Sequence, residues 1–256
     1  MDRELQVRMF KRSFFMQACW SFERMQNLGF LYALEPWLER IYPDQDDRAA
    51  AALRHLEFFN TQPYMAGLVL GVVGGLEERL AKTPAAERAA AQARLSAVKK
   101  TLASTLAAVG DSLFWGALKP ACAAAAVAAW GLFWTLGLPH PVLAGCGLYL
   151  ALFNIPVLWV RWEGPRLGHA WQERLPAELA RYRWKEAAAA LRAAGLALAG
   201  LCTAAALLVP PWGAFSPWNL AVLAACFALK ARGLSAANLY LGLAAAGTVL
   251  ALARPA

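Results

Sequence analysis

Charged residues are scarce in this sequence, and their scarcity excludes an ordinary water-soluble domain. Asp, Glu, Lys and Arg make up 16% of the 256 residues, whereas hydrophobic residues make up 59%. A soluble domain carries roughly a quarter charged residues and a little under half apolar ones. The shortage is uneven, because residues 1–60 hold eight basic and nine acidic side chains and residues 193–229 hold none. We therefore expect a polar, cytoplasm-facing N-terminal region, 1–62, followed by a transmembrane domain, 63–256.

Motifs for metal, redox, nucleotide or hydrolytic chemistry are also missing. The five cysteines lie singly in apolar runs without a CxxC pair, and the three histidines stand singly as well. This pattern predicts neither disulfides nor a metal site. The sequence contains no Walker motif, no GxSxG and no HExxH, so we predict no cofactor and no catalytic residue on this chain. The N-terminus lacks the apolar core of a cleavable signal peptide, so insertion is expected to depend on internal segments.

The net charge of +8 raises the question of nucleic-acid binding, because phosphate backbones attract basic surfaces. Lys and Arg, however, are concentrated between the apolar segments, in residues 79–100 and 161–192. An excess of basic residues in such connections is typical of loops on the cytoplasmic side of a membrane. The charge distribution therefore favours a lipid bilayer, and not a nucleic acid, as the surroundings of this chain.

Long uncharged runs predict several transmembrane helices. About 20 residues are needed to cross the hydrocarbon layer as a helix. Four segments meet this requirement, the third of them ending at the Pro210-Pro211 interruption: 120–139, 140–160, 193–212 and 233–253. Two apolar segments, 63–76 and 110–119, are too short to cross as straight helices, and we expect re-entrant or broken helices there. The sequence thus predicts an all-α, polytopic integral membrane protein.

Two polar motifs stand where the short segments begin. The first runs from Asn60 to Pro63, and the second is Gly110-Asp111-Ser112. Each supplies residues that favour helix N-termini, so we expect free backbone N–H groups to point into a protein-lined cavity. Paired short segments of this kind indicate a transporter's substrate site. The predicted substrate-binding residues are Asn60, Thr61, Gln62, Asp111 and Ser112; the alternative is that both motifs are ordinary caps at the membrane surface.

The N-terminal region is predicted to be an amphipathic helical surface. Apolar residues recur at helical spacing within 11–40, giving one stripe: Phe14, Ala18, Phe22, Met25 and Gly29. Such a helix would lie on the membrane surface or against a partner subunit. A polar turn at Pro43-Asp44 and a second helix, about 48–59, are expected to follow.

Several charged or polar residues are candidates for a partner interface. They are Glu23, Arg24, Gln26, Glu77 and Glu78. Glu77-Glu78 is expected at a helix C-terminus, where the helix dipole disfavours anions. The pair would therefore face a cation of a partner, or else lie at a solvated loop edge. Lys119 could pair with Asp111, or its ammonium could simply reach out to the membrane surface.

Specific runs of residues resemble one known family. These runs are Arg12-Ser13-Phe14, Glu23-Arg24-Met25-Gln26, the stretch HLEFFNTQP at 55–63, the stretch GDSLFWG at 110–116, and Lys119-Pro120. With a weaker match from Asn154 to Arg161, Gly164 and Gly168, they span about residues 10–170 and resemble the IID components of mannose/fructose/sorbose-family sugar transporters of the phosphotransferase system (PTS). The sequence departs from the family between Lys100 and Gly110, where a run rich in glycine and proline is usual and the chain reads TLASTLAAV.

The resemblance implies a role that composition and periodicity do not reveal. IID is similar in fold to its partner IIC, and the two form the membrane channel for hexoses such as mannose. Soluble IIA and IIB components, or a fused IIAB, carry the phosphoryl group, and IIB phosphorylates the sugar at the cytoplasmic face. This chain would then be a non-catalytic, multi-pass subunit in the bacterial inner membrane. Two alternatives are a regulatory or scaffolding protein of the same fold, and a membrane-embedded enzyme using Glu77, Glu78 or Asp111.

Overall fold

The computed structural model describes residues 1–208 and, beyond them, 224–226, 228–235, 238, 241–242 and 245. Its contacts divide the chain into two units, Met1–Ala199 and Gly200–Ala256. The described residues are helices joined by turns, which confirms the all-α prediction. The helices are α1 (Arg3–Ser13), α2 (Asn27–Ile41), α3 (Gln45–Arg54), α4 (Ala66–Leu80), α5 (Arg88–Gly110), a π-helix (Asp111–Leu118), α6 (Lys119–Thr135), α7 (Pro141–Trp171), α8 (Leu175–Ala180) and α9 (Trp184–Leu208), with 3-10 turns at Ala85–Glu87 and Gln172–Arg174.

Helix α4 forms the centre of the first unit. All but two of its fifteen residues are buried, so it is enclosed by other helices of the same chain. Small residues allow α7 to approach it closely, because a Cβ at Gly71 or Gly168 would overlap backbone atoms of the facing helix. Such small-residue contacts are the usual means of close helix packing in membranes. The predicted short segment 63–76 is therefore a turn followed by a helix that begins at Ala66, continues through Glu77 and Glu78 and ends at Leu80.

The predicted single helix over 11–40 is wrong. Helix α1 ends at Ser13, a turn region follows, and α2 begins at Asn27. The residues of the predicted apolar stripe therefore do not share one helix, although Phe14 and Phe22 are 52% and 85% exposed on the surface of this chain. The chain folds back because Gly29 packs directly on the backbone of Met16, where a larger residue would not fit. Helical spacing alone could not reveal this contact.

The predicted second helix, about 48–59, overlaps α3, but α3 begins earlier, at Gln45, and ends sooner, at Arg54. Its N-cap is Asp44, whose side chain accepts hydrogen bonds from the backbone N–H groups of Asp46 and Asp47. It ends at Arg54, and His55 turns into the core. The predicted polar turn at Pro43-Asp44 is present.

The predicted helix break at Gly110-Asp111-Ser112 is absent. The helix is continuous from Ala85 to Thr135, over 51 residues, and changes to π-helical geometry at Asp111. The backbone N–H of Asp111 bonds to carbonyls of the preceding turn, so it is not a free N-terminal donor. The alanine-rich run before Gly110 explains the difference, because it favours an unbroken helix. The motif instead marks a π-helix, a local geometry that often occurs at functional sites.

Helices α6 and α7 form an antiparallel hairpin. They are joined by residues 136–140, and Gly145 lies against Ala126 and Trp130. Helix α7 continues beyond the uncharged run as far as Trp171, so the predicted loop 161–192 is helical at its start. Its thirty-one residues rise about 46 Å, so α7 is longer than the hydrocarbon layer requires.

Within the described ranges, three helical stretches are long and apolar enough to cross a membrane: Ala85–Thr135, Pro141–Ala180 and Trp184–Ala205. They contain or overlap the predicted spans 120–139, 140–160 and 193–212. Residues 209–212 of the third predicted span, and most of the fourth, 233–253, lie outside the described residues.

Candidate functional site

The segment that links α3 to α4 carries the first polar motif and has two distinct faces. His55, Phe59, Thr61 and Gln62 are buried, whereas Phe58 and Asn60 are exposed. Of the three predicted site residues here, only Asn60 therefore presents its side chain at the surface of the chain. Thr61 and Gln62 hold the segment in place from within.

The turn before α2 pairs with this segment through Gln26. The Gln26 backbone N–H donates to the carbonyl of Phe59 at 2.8 Å. Its side-chain amide donates to the Thr61 carbonyl at 2.9 Å and accepts from the Thr61 N–H at 3.2 Å, so it pairs as a strand backbone would. Gln26, predicted at a partner interface, is thus buried against a predicted substrate-binding residue.

Gln62 caps the turn that precedes α4, a role for which the first motif also offered Asn60. Its side-chain oxygen accepts hydrogen bonds from the backbone N–H groups of Tyr64 at 2.7 Å and Met65 at 3.1 Å. Helix α4 itself begins only at Ala66, so Pro63 does not lie in its first turn. The Nε2 group of Gln62 is buried and has no hydrogen-bond partner among the described residues. An unpaired buried donor costs about 1–3 kcal/mol, so this amide has hydrogen-bonding capacity that the described residues leave unused.

The two polar motifs meet at Gly110. A Cβ at this position would come within 2.5 Å of the Cβ of Gln62 and within 2.9 Å of the sulfur of Met65. The lack of a side chain therefore lets the long helix rest on Gln62. Asp111 and Ser112, the next two residues, are exposed beside this contact. Ser112 lies 3.5 Å from an Nη1 donor of Arg192.

Aromatic side chains extend from this junction along the π-helix. The Tyr64 ring lies 5.2 Å from Phe114, 5.3 Å from Trp115 and 5.9 Å from Phe153. The Lys119 ammonium lies 5.2 Å from the centre of the Trp115 ring. The ion pair considered between Lys119 and Asp111 is absent from the part of the chain that the structure describes.

A buried ionic network centred on Glu77 contacts the segment that carries the first motif. The carboxylate is fully buried and accepts hydrogen bonds from Arg54 at 2.9 and 3.2 Å, from Tyr42 at 2.8 Å and from His55 at 3.0 Å. Burial alone would raise the pKa of Glu77, but the bonds from His55 and Arg54 outweigh it and hold the pKa at about 2. The cation that Glu77 faces therefore belongs to its own chain.

His55 connects this carboxylate to a second buried group, Lys99. Burial lowers the pKa of His55 below its usual value of 6.5, which favours the neutral imidazole. A neutral ring that donates from Nε2 to Glu77 leaves Nδ1 as an acceptor. The Lys99 ammonium lies 3.5 Å from that Nδ1 and 3.5 Å from the Glu57 carboxylate.

Glu78 has partners of its own on α2 and α7. Its carboxylate accepts from the Trp37 indole N–H at 2.8 Å and lies 3.0 Å from Nε2 of His169. The pair Glu77-Glu78 thus lies within the last turns of α4, and not at a loop edge. The other two predicted interface residues, Glu23 and Arg24, are exposed, and Arg24 donates to the carbonyl of Leu56 at 3.0 Å.

Sequence reasoning singled out Glu77 but missed its partners in the ionic network. Glu77 lies 22 positions from His55, and Lys99 lies 44 positions from it, so no local motif joins them. One signal was present: Lys99 is in helical phase with the buried residues Leu95, Leu102 and Leu106 on α5. A lysine within an apolar stripe indicates a buried cation.

A further buried cation, Arg161 on α7, was also missed as a site residue. It donates to the backbone carbonyl of Ser13 at 2.6 Å and lies 5.1 Å from the rings of both Phe14 and Tyr64. Bonding to the last carbonyl of α1 places its charge at the negative end of that helix. Arg161 therefore attaches the N-terminal helix to α7.

The described residues contain no group of three His, Cys, Asp or Glu side chains that could hold a metal ion.

Comparison with known protein families identifies relatives over most of the chain. The model of the family "PTS system mannose/fructose/sorbose family IID component" matches residues 1–209. The mannose-specific EIID component of Escherichia coli (strain K12) is 39% identical over 162 residues, which are 63% of this chain and 53% of the relative. The sorbose-specific EIID component of Klebsiella pneumoniae is 39% identical over 162 residues, 63% of this chain and 55% of the relative. The chain spans about half the length of the curated relatives it matches.

Two solved structures are similar over nearly the whole chain. One, described only as the structure of a membrane protein, has a TM-score of 0.71 and 25% identity and covers 97% of this chain and 96% of the other. The second is the cryo-EM structure of the mannose transporter ManYZ with microcin E492, with a TM-score of 0.59, 26% identity and the same coverages. The family match, the membrane fold and the motifs agree, and the chain belongs to the IID components of the mannose/fructose/sorbose-family PTS permeases.

Proposed function

We propose that this chain is the IID subunit that, together with a IIC subunit, moves a hexose such as mannose across the bacterial inner membrane. Transport would be coupled to phosphorylation of the sugar by IIB, which receives the phosphoryl group from IIA. The chain would be multi-pass and would itself carry no phosphoryl group. The family assignment and the likeness to the mannose transporter ManYZ support this role.

One observation carries the proposal of a sugar-binding surface on this chain. The contact between Gly110 and Gln62 joins two polar motifs that are far apart in sequence, and the Gln62 Nε2 donor there has no partner among the described residues. Neutral amides, hydroxyls and carboxylates are the donors and acceptors that sugar hydroxyls require. We assign the sugar-facing role to the exposed Asn60, Asp111 and Ser112, with Thr61 and Gln62 behind them.

The position of Asp111 indicates that its carboxylate does not face lipid. It is exposed on the surface of this chain, yet the helix that bears it continues directly into the apolar α6. A carboxylate facing hydrocarbon costs several kcal/mol, so such residues face a partner or a water-filled cavity. A IIC subunit packed on this face, with a sugar pathway between the two chains, satisfies the requirement. Exposed Glu23 and Arg24 would contribute to the contact with the partner.

Charge distribution supports a defined orientation. The α6–α7 hairpin brings the Lys119 end of α6 and the Arg161 region of α7 to the same side, whereas the connecting residues 136–140 carry no Lys or Arg. Basic residues accumulate on the cytoplasmic side. The basic ends of the hairpin would therefore face the cytoplasm, where IIB acts.

The direct test is uptake and phosphorylation of labelled hexoses. A strain lacking its own mannose-family permeases would express IIA, IIB and IIC with or without this chain. We expect intracellular sugar phosphate only when this chain is present. Equal uptake without it would refute the proposal, and so would the absence of uptake for a panel of hexoses with all four components present.

A further inference from the structure

Lys99 is a buried ammonium group whose ion pair, with Glu57, is long. It is fully buried on α5, and its nearest carboxylate oxygen, on Glu57, lies 3.5 Å away. Replacing a whole buried ion pair by apolar side chains is often neutral or stabilising, although removing only one partner is costly, so stability alone does not explain why this position carries a charge. Its contacts indicate that it also holds the segment between α3 and α4 in place.

The ammonium group touches alternate residues of one segment. It lies 3.5 Å from Nδ1 of His55, 3.5 Å from Glu57, and 5.5 Å from the centre of the Phe59 ring. One helical turn along α5, the Ala103 carbonyl accepts a hydrogen bond from the Thr61 hydroxyl at 2.9 Å. One face of α5 therefore holds residues 55, 57, 59 and 61.

Contacts to every second residue determine which side chains face outward. Successive side chains of an extended chain point to opposite sides, so residues held at 57, 59 and 61 leave 58 and 60 on the other side. Phe58 is 52% exposed, and Asn60 is exposed as well. If the segment rotated, Asn60 would no longer be the exposed side chain of the first motif.

We propose that Lys99 is a positioning residue that holds Asn60 toward the transported sugar by binding the opposite face of its segment. This inference rests on the proposed transport function. Lys99 itself, being buried beneath the segment, does not touch the sugar.

The neighbours of Lys99 explain why an apolar residue would not serve. Nδ1 of His55 is an acceptor, because Nε2 donates to Glu77. Without a donor at position 99, that acceptor would be unpaired and buried, and the segment would gain by turning it toward another partner. Lys100 provides a matched control, since it also bonds to Glu57, at 3.0 Å, but its side chain is 60% exposed.

The transport test compares Lys99→Met with Lys100→Met in the complete IIA, IIB, IIC and IID system. We expect Lys99→Met to raise the apparent KM for uptake about tenfold, equivalent to ~1.4 kcal/mol, with Vmax and complex abundance retained. Lys100→Met should leave all three unchanged. In an Asn60→Ala background, Lys99→Met should change KM less than about twofold, because the residue through which it acts is gone.

A second measurement does not depend on transport. Asn60→Cys, in a chain whose five native cysteines are replaced by alanine, would be labelled with a membrane-impermeant maleimide in open membrane vesicles containing IIC. We expect the cysteine at position 60 to be labelled rapidly when Lys99 is present, both in the otherwise unchanged chain and in the Lys100→Met control. In the Lys99→Met variant we expect labelling about tenfold slower, again a change of ~1.4 kcal/mol.

Three results would overturn the positioning role. The first is that Lys99→Met raises KM as much in the Asn60→Ala background as in the wild type. The second is that the cysteine at position 60 is labelled at the same rate with and without Lys99. The third is that Lys99→Met lowers the abundance of the complex enough to account for all of the lost uptake. If the wild-type complex transports no hexose, the proposed function fails, and the labelling result then decides alone whether Lys99 orients Asn60.

Discussion

Gly110 on the long helix rests directly on the side chain of Gln62, and this contact joins the two polar motifs of the chain. A Cβ at position 110 would lie 2.5 Å from Cβ and 2.6 Å from Cγ of Gln62. Neither atom can move freely, because the Gln62 side chain also caps the turn before α4. A residue without a side chain at position 110 is therefore required if the helix is to rest on Gln62 in the proposed sugar surface.

Gly110→Ala is expected to separate the two motifs. In an exposed helix the same change would stabilise by roughly 0.5–1 kcal/mol, but here overlap with Gln62 should reverse the sign. We expect uptake to fall at least about tenfold, the effect of ~1.4 kcal/mol, with a smaller fall in complex abundance. Gly147→Ala is the matched control, because a Cβ at Gly147 meets nothing within 4 Å. Equal behaviour of the two variants would mean that the contact is unimportant.

Glu77 is expected to make the stability of the protein depend on pH in the acid range. Its pKa is about 2 in the folded chain and 4.5 when unperturbed, so its contribution is complete above pH 4.5 and is lost as the pH falls toward 2. Glu77→Gln leaves Arg54 without its carboxylate, a change that typically costs about 3–5 kcal/mol. At pH 7.5 we expect the apparent melting temperature of the purified complex to fall by about 10 °C.

The control for this experiment is the neighbouring Glu78→Gln, whose carboxylate is 42% exposed. It should lower the apparent melting temperature much less. Melting curves at pH 7.5, 5.5 and 4.0 should also show a flatter acid dependence for Glu77→Gln than for the wild type. Identical acid dependence in both proteins would argue against an ionised Glu77 in the folded state.

His55 is expected to contribute a second pH dependence at a higher pH. Its pKa is lowered by burial, so the unfolded chain takes up a proton below pH 6.5 that the folded chain does not. Folded stability should therefore fall as the pH drops through this range. Protonation would also place a positive ring beside Lys99 on α5 and Arg54 on α3, and among the described residues Glu77 on α4 is the carboxylate bonded to that ring.

His55→Gln tests this dependence. A glutamine amide can donate to Glu77 and accept from Lys99, as the neutral imidazole does, but it does not titrate. We expect the apparent melting temperature at pH 7.5 to be little changed and its decline between pH 7.5 and 5.5 to be reduced. A steeper decline than that of the wild type would mean that the folded protein holds His55 protonated.

Composition and apolar run length were sufficient for the fold class. Most of the runs at 120–139 and 140–160 lies in α6 and α7, since about 20 uncharged residues have few alternatives to a helix in a membrane. Helix ends were predicted less well. Arg161 did not end α7, because its charge is met by the Ser13 carbonyl and two aromatic rings.

The site was only partly accessible to sequence reasoning. Both polar motifs were identified because they interrupt apolar surroundings, but their local geometry was not. Capping rules favour Asn60, yet Gln62 forms the cap, and the expected break at Asp111 is a π-helix. These outcomes depend on tertiary contacts with Gly110 and Gln26, which lie far away in sequence and leave no local pattern.

Asn60→Ala and Asp111→Asn test whether the exposed polar residues of the two motifs contact the sugar. Neither side chain is needed for the fold as a cap, because Gln62 caps the first motif and the helix runs through the second. Asn60→Ala should therefore cost far less stability than the ~1 kcal/mol of a true N-cap. We expect both variants to assemble with IIC at normal abundance while their uptake falls about tenfold or more, the effect of at least ~1.4 kcal/mol. Asp111→Asn retains size and hydrogen-bonding capacity, so its loss of uptake would report the carboxylate charge, whereas wild-type uptake by both variants would place the sugar contacts on IIC.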